Sequence, residues 1–424
     1  MESKRAKRDC GGDEVEKVPN TVTEDRISQL PDPLIHYIFS FLPTFYIIQM
    51  SILSKRWRRM WVSTPFIYLE DFCGIHKKKY CKRLLKFVSG CLRYRKLYKQ
   101  VPETSITRFQ FDTSYSLLNA SRVKGWFSFL IEKNVKELDL HLKYYSLPQS
   151  VLNAVSLTVL KLNGMVLKTT SLSTLHSLKV LFLIGVEFDA NSLQNLISGC
   201  PIIEDLHLKG RYRDIHVGFS IGKTLKYLSL SGVTITCQWL EGLIYGLPLL
   251  ERLTLYSCDG LKNISISGHS LKSLYYEGHS ENISIVSHSL TTLHVDTWFD
   301  AFKATFRSPN LVYLSLFCRV ESVISIEAPK LLEGNLKLSY DSKCVTSYDN
   351  TVHLLANFKS LKKMKLCMRG QDIIFSRNTW TPPLPNLKHL MLKIPYHLKR
   401  KSELEDFVYW CAPSLETLEI DDKK

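Results

Sequence analysis

Residues 178–210 read LKVLFLIGVEFDANSLQNLISGCPIIEDLHLKG, and their pattern decides the fold. The stretch opens and closes on one device: apolar, variable, apolar. Leu181-Phe182-Leu183 carries it first, and Leu206-His207-Leu208 repeats it. Alternation of this kind is the period of a strand with one buried face. Between the two, Leu193, Leu196 and Ile197 recur at helical spacing. Gly199 stands where a helix would end, and Pro201 follows it. The stretch therefore predicts strand, helix, strand.

The device recurs along the chain. The first apolar residues of its copies are Leu138, Leu160, Leu181, Leu206, Leu228, Leu253, Leu274, Leu293, Leu314, Leu336, Met364, Leu390 and Leu418. They span 280 residues in twelve steps, a mean near 23, inside the ~20–29 range of leucine-rich repeats. Stacked units of this size make a curved parallel sheet on a solenoid, each burying its leucines against its neighbours. The steps run from 19 to 28 residues, and helical segments are expected in the longer ones. The variable residues would line one exposed sheet face. Asp139, Lys161, Phe182, His207, Ser229, Thr254, Tyr275, His294 and Ser315 are the candidates there for contact with a target protein.

A second apolar pattern precedes the repeats. In QLPDPLIHYIFSFLP, residues 29–43, Asp32 can cap a helix with Pro33 at its first position. Leu34, Ile35, Ile38, Phe39 and Leu42 then share one broad face, and Pro43 stops the helix. Thr44 can cap a second helix carrying Ile47, Ile48 and Ile52, and Ser54 a third, KRWRRMW. Three helices this short bury little of their own surface. The surplus apolar face needs a neighbour, either the following domain or another protein.

The stretch DRISQLPDPLIHYIFSFLP…SILSKRWRRMW resembles the F-box of plant F-box/leucine-rich-repeat proteins. The matching elements are Asp25-Arg26-Ile27-Ser28, Leu30-Pro31, Ile38 to Thr44, and Ser51 to Trp57. The segments SGCP before a strand and RVKGWFSFLIEKNVKELDL resemble the repeats of the same family. The resemblance implies that the F-box docks on a Skp-type adaptor, which links to a cullin and a RING subunit. The residues that would meet the adaptor are Leu30, Pro31, Leu34, Ile35, Ile38, Phe39, Leu42, Pro43, Ile52, Leu53 and Trp57. One departure stands out: after Pro43-Thr44 the family has a basic and an acidic residue, and this chain has Phe45-Tyr46. The family's C-terminal FBD domain would follow a segment like APSLETLEI. It is expected to be absent, because the chain ends at Lys424.

The expected architecture is α/β: a disordered charged segment over 1–23, an F-box over 24–70, a helical linker and N-terminal cap over 71–133, and about 12–13 leucine-rich repeats over 134–424. In the linker, Tyr80, Leu84, Val88, Cys91 and Leu92 fall on one helical face. Residues 51–100 hold 14 Lys/Arg against two acids, within a chain of formal net charge +16. That block reads mainly as the solvated side of the linking helix, with nucleic-acid binding as the alternative.

No phosphate loop, dinucleotide fingerprint or metalloprotease motif is present, so no enzyme, cofactor or metal is expected. Cys200 and Cys258 read as small buried residues. Eleven cysteines lack paired spacing, which fits a reducing compartment, the nucleus or cytoplasm. Lys4–Arg8 reads KRAKR, a pattern found in nuclear import signals. No apolar run approaches the ~20 residues of a membrane helix, and the sequons at Asn119, Asn263 and Asn282 read as chance. The leading expectation is a substrate-recognition subunit of a cullin–RING ubiquitin ligase. The alternatives are a repeat scaffold outside the ligase, a nucleic-acid binder and a small-molecule co-receptor.

Overall fold

The alternation becomes one parallel sheet of 15 strands whose neighbours follow chain order. The computed structural model describes residues 29–70, 78–97, 106–113, 120–168, 173–212, 223–268, 270–297, 301–340, 347–369, 381–394 and 401–422. Residues 1–23, the Lys4–Arg8 cluster and Asn119 lie outside them, as do the side chains of Lys78, Lys79 and Tyr80. One register line runs from Leu138 through Leu160, Leu181, Leu206, Leu228, Leu253, Leu274, Leu293 and Leu314. Each of these leucines is buried in a single core.

The sheet starts earlier than residue 134. Strands Phe66–Glu70 and Arg108–Thr113 are its first two members, and Ile67 and Phe109 align with Leu138. Ile and Phe fill the inward slots there, so the leucine pattern did not reveal them. The segment 71–133 is thus part of the solenoid as well as its cap. Helix Lys78–Leu97 is the crossover between these two strands, and it buries Leu85, Val88 and Leu92 in the same core. Helix Ala120–Glu132 makes the next crossover, and Trp126 Nε1 ties the two together by donating to Ser89 Oγ at 3.1 Å.

Two further features depart from the pattern. Register places Gly334, not Leu336, opposite Leu314; Leu336 aligns with Leu316. Leu361 fills the gap, since a Cβ at Gly334 would stand 2.8 Å from its Cδ1. The short repeats also carry a second parallel sheet, Asn263–Ser267, Asn282–Val286, Lys303–Arg307 and Val323–Glu327. Its Ile264, Ile266, Ile283, Ile285 and Phe306 close the core from the other side. The longer steps hold helices, among them Ala190–Ser198, Cys237–Gly246 and Lys401–Cys411.

The N-terminal unit has three helices, Asp32–Phe39, Thr44–Met50 and Lys55–Ser63. Ser54 caps the third, accepting from the Trp57 N–H at 3.2 Å. The other two expected caps are used elsewhere. Asp32 is itself the first helical residue, and its carboxylate pairs with Arg56 at 2.6 Å. Thr44 Oγ1 accepts from the Tyr68 N–H at 2.9 Å, joining the unit to the first strand of the sheet.

Arg95 adds a second weld. It is buried, donates to the Thr64 carbonyl at 2.5 Å and lies 5.7 Å from the Trp61 ring centroid. Burial lowers its pKa to about 10, so it still carries charge at neutral pH. One member of the basic block is therefore structural rather than solvated.

Candidate functional site

Two surfaces stand out, one on the helical unit and one on the sheet. The first helix has two apolar faces. Ile35 and Phe39 point inward and join Ile47, Trp57, Met60, Trp61 and Val62 in a core that Cys91 of the helix Lys78–Leu97 completes. Leu34, Tyr37, Ile38 and Phe41 follow the i, i+3, i+4, i+7 rule on the outer side and are exposed. Ile52 and Leu53, in the turn before the third helix, are 80% and 69% exposed.

Three of the eleven expected adaptor residues, Ile35, Phe39 and Trp57, are thus corrected to core positions at 0%, 0% and 3% exposure. They shape the surface without lending it area. Leu34, Ile38, Ile52 and Leu53 are exposed, as is Pro31; Leu30, Leu42 and Pro43 are half-buried. Tyr37 and Phe41 belong to the stripe and were missed. Their spacing was legible, but only one face of the helix was counted. Phe45, which replaces the family's basic residue, packs against Phe87 of the long helix with ring centroids 5.7 Å apart.

On the sheet, all nine expected target-facing residues lie on one register line, from Asp139 through Lys161, Phe182, His207, Ser229, Thr254, Tyr275 and His294 to Ser315. Several already contact one another. Phe182 and His207 stack at 3.9 Å, and Lys161 Nζ lies 5.1 Å from the Phe182 centroid. His207 Nε2 meets Asp205 Oδ1 at 2.7 Å. Burial raises the Asp139 pKa above the ordinary carboxylate value, with Lys161 opposing it. Near the first strand, Tyr68 donates to Glu70, and that bond is the largest influence pushing its phenol up to about 12.

A second, parallel line on the same face was not picked out from the sequence: Tyr256, Glu277, Asp296 and Phe317. Tyr275 donates to Glu277 Oε2 at 2.7 Å. Burial first, then that hydrogen bond, pushes the Tyr275 phenol up. Cys200 and Cys258 are buried, and desolvation pushes the Cys200 thiol up to about 12. Among the described residues no group of three or more His, Cys, Asp or Glu side chains is arranged to hold a metal, and no helix is long and apolar enough to cross a membrane.

These surfaces can be set beside known proteins. The F-box domain family matches residues 27–68, and the family described as FBD-associated F-box protein At5g56370, LRR repeats, matches residues 123–221. F-box/LRR-repeat protein 25 of Arabidopsis thaliana is 31% identical over 192 residues, which cover 44% of this chain and 68% of that protein. The chain belongs to the plant F-box/LRR-repeat family. The F-box/LRR-repeat protein At5g41840 of the same plant is 25% identical over 429 residues, covering 95% of this chain and 70% of its own length. F-box/LRR-repeat protein At1g55660, also from Arabidopsis thaliana, is 34% identical over 203 residues, or 45% of this chain. The match spans about half of that relative, 53%. The outward stripe of this F-box/LRR-repeat chain lies within the F-box match, and Asp139, Lys161, Phe182 and His207 lie within the repeat match.

Proposed function

We propose that this chain is the substrate-recognition subunit of an SCF-type cullin–RING ubiquitin ligase. Its F-box docks on a Skp-type adaptor, and through it on cullin and RING subunit, while the sheet face holds a target protein. The observation behind this reading is the outward stripe Leu34, Tyr37, Ile38 and Phe41, with Ile52 and Leu53, which stays exposed although the unit's inward face is already packed, in part against Cys91 of the long helix. Burying a large apolar side chain stabilises by about 1.5–3 kcal/mol. These six are 39–80% exposed, so covering them returns somewhat over half of that each, on the order of 5–11 kcal/mol together, comparable with an association cost of roughly 4–15 kcal/mol. The F-box match and the F-box relatives support the ubiquitin-ligase context.

The sheet then acts as a ruler. Strands are spaced at ~4.8 Å, so a target held on the ninth strand, Ser273–Glu277, sits ~38 Å from the first along the sheet. The Thr44–Tyr68 and Arg95–Thr64 bonds keep that offset fixed relative to the adaptor. The chain contributes proximity to ubiquitin transfer and no catalytic group. It works in the nucleus or cytoplasm, where the ligase assembles.

Reconstitution with adaptor, cullin, RING subunit and a charged ubiquitin carrier tests the reading. Transfer should require the RING subunit and should fail with this chain and carrier alone. Transfer by the chain and carrier without the RING subunit contradicts the assignment. A chain that retains targets but never captures adaptor is a scaffold outside the ligase.

A further inference from the structure

We propose that the sheet face carries a docking point for a lysine or arginine side chain on an extended basic segment of the target, between Tyr256 and Tyr275 above Glu277. This rests on the reading that the sheet face holds the target. Tyr256 and Glu277 are direct register partners on adjacent strands, and Tyr275 stands two residues before Glu277 on the same face. Glu277 is only 6% exposed. Glu277 Oε2 accepts a hydrogen bond from the Tyr275 phenol at 2.7 Å. A phenol satisfies a lone pair but leaves the charge unbalanced, and buried charges are normally paired with an opposite charge.

Even half-exposed acids elsewhere on the sheet have a cation beside them. Glu204 lies between Lys179 at 3.1 Å and Lys226 at 2.8 Å, and Glu251 meets Lys272 at 3.0 Å. Around Glu277 the pattern breaks. The carboxylates whose charge pushes both phenols up are Glu277 and Asp296, and among the described residues no lysine or arginine forms an ion pair with Glu277, as Lys272 does with Glu251 on the neighbouring strands. His294, 5.7 Å from Tyr275, is not the missing cation either, because burial lowers its pKa.

An ammonium or guanidinium entering here would pair with Glu277 and meet aromatic faces on both sides. The aromatic wall continues through His294 to Tyr313, 5.3 Å away, giving the flanking residues of such a segment a surface to lie on. The local charge is opposite in sign to the +16 of the whole chain. Two copies of so positive a chain repel one another as wholes, whereas a short basic segment of a different protein meets mainly the local acidic pair.

The test is fluorescence anisotropy of the full chain with a labelled alternating Ser–Lys peptide and its Ser–Glu and Ser–Gln counterparts, at about 0.15 M salt. The Ser–Lys peptide should bind and the other two should not. Glu277→Gln should weaken Ser–Lys binding about tenfold, while Glu241→Gln, at an exposed position on the helix Cys237–Gly246, should not change it. Tyr256→Ala, at a 43% exposed ring, should also weaken it and is read if Glu277→Gln melts early. Equal effects of Glu277→Gln and Glu241→Gln, or Ser–Gln binding as tight as Ser–Lys, overturn the proposal. Adaptor capture by the same preparations separates the two readings: intact capture with no lysine preference sinks only this docking point. Lysine preference without capture sinks the ligase reading and leaves the docking point standing.

Discussion

The Tyr68 N–H of the first sheet strand donates to Thr44 Oγ1 of the second F-box helix at 2.9 Å. A side chain suited to cap its own helix instead satisfies the edge of a neighbouring sheet. The edge of a parallel sheet needs such a partner, since its unpaired N–H groups otherwise face solvent or a competing strand. Thr44→Val keeps the shape and removes the acceptor. It should cost about 1–3 kcal/mol, read as a lower urea midpoint with unchanged slope. An unchanged midpoint would show that the weld adds no stability.

Inner and outer faces of the first helix should separate cleanly. Ile35→Ala should destabilise by about 2–5 kcal/mol and Phe39→Ala by about 3–5 kcal/mol, because both side chains are fully buried. Tyr37→Ser, on the exposed side, should leave the melting temperature nearly unchanged. Thermal melts of the three variants check this. Equal losses for all three would mean that the outer stripe is already covered within the chain.

Asp139 gives a pH signature with a definite sign. Burial, opposed by Lys161, holds its folded pKa above the ordinary 3.8. The folded chain then binds this proton more tightly than the unfolded chain. The associated stability is present below the unfolded pKa and is lost as pH rises through the folded one. Asp139→Asn removes that loss, so its urea midpoint relative to the unmodified chain should rise between about pH 4 and pH 7. A difference that stays flat with pH, or falls, contradicts the assigned cause.

The solenoid was legible wherever leucine fills the inward slots, and one register line recovers all nine variable positions from Asp139 to Ser315. It was not legible where Ile67, Leu69, Phe109 and Phe111 do the same packing, because the core selects size and apolarity rather than leucine. The second sheet was hidden for a related reason. Segments such as NISIS alternate as strands do, but their apolar residues are isoleucines. At Gly334 a distant side chain, Leu361, completes the layer, which no local pattern encodes. In the F-box, spacing identified the apolar residues but not the split between faces. That split depends on where Trp57 and Met60 of the third helix pack. Glu277 was not singled out because its burial and its register partner Tyr256, on the preceding strand, emerge only when the strands are aligned.

The most direct measurement is a binding isotherm of purified Skp-type adaptor with the full chain and with Leu34→Glu/Ile38→Glu, two outward positions 49% and 39% exposed. The intact chain should bind, and the double variant should lose at least about a hundredfold in affinity, or roughly 2.8 kcal/mol, with its melting temperature preserved. Wild-type affinity in a folded double variant would place adaptor docking elsewhere and remove the basis for a ligase subunit.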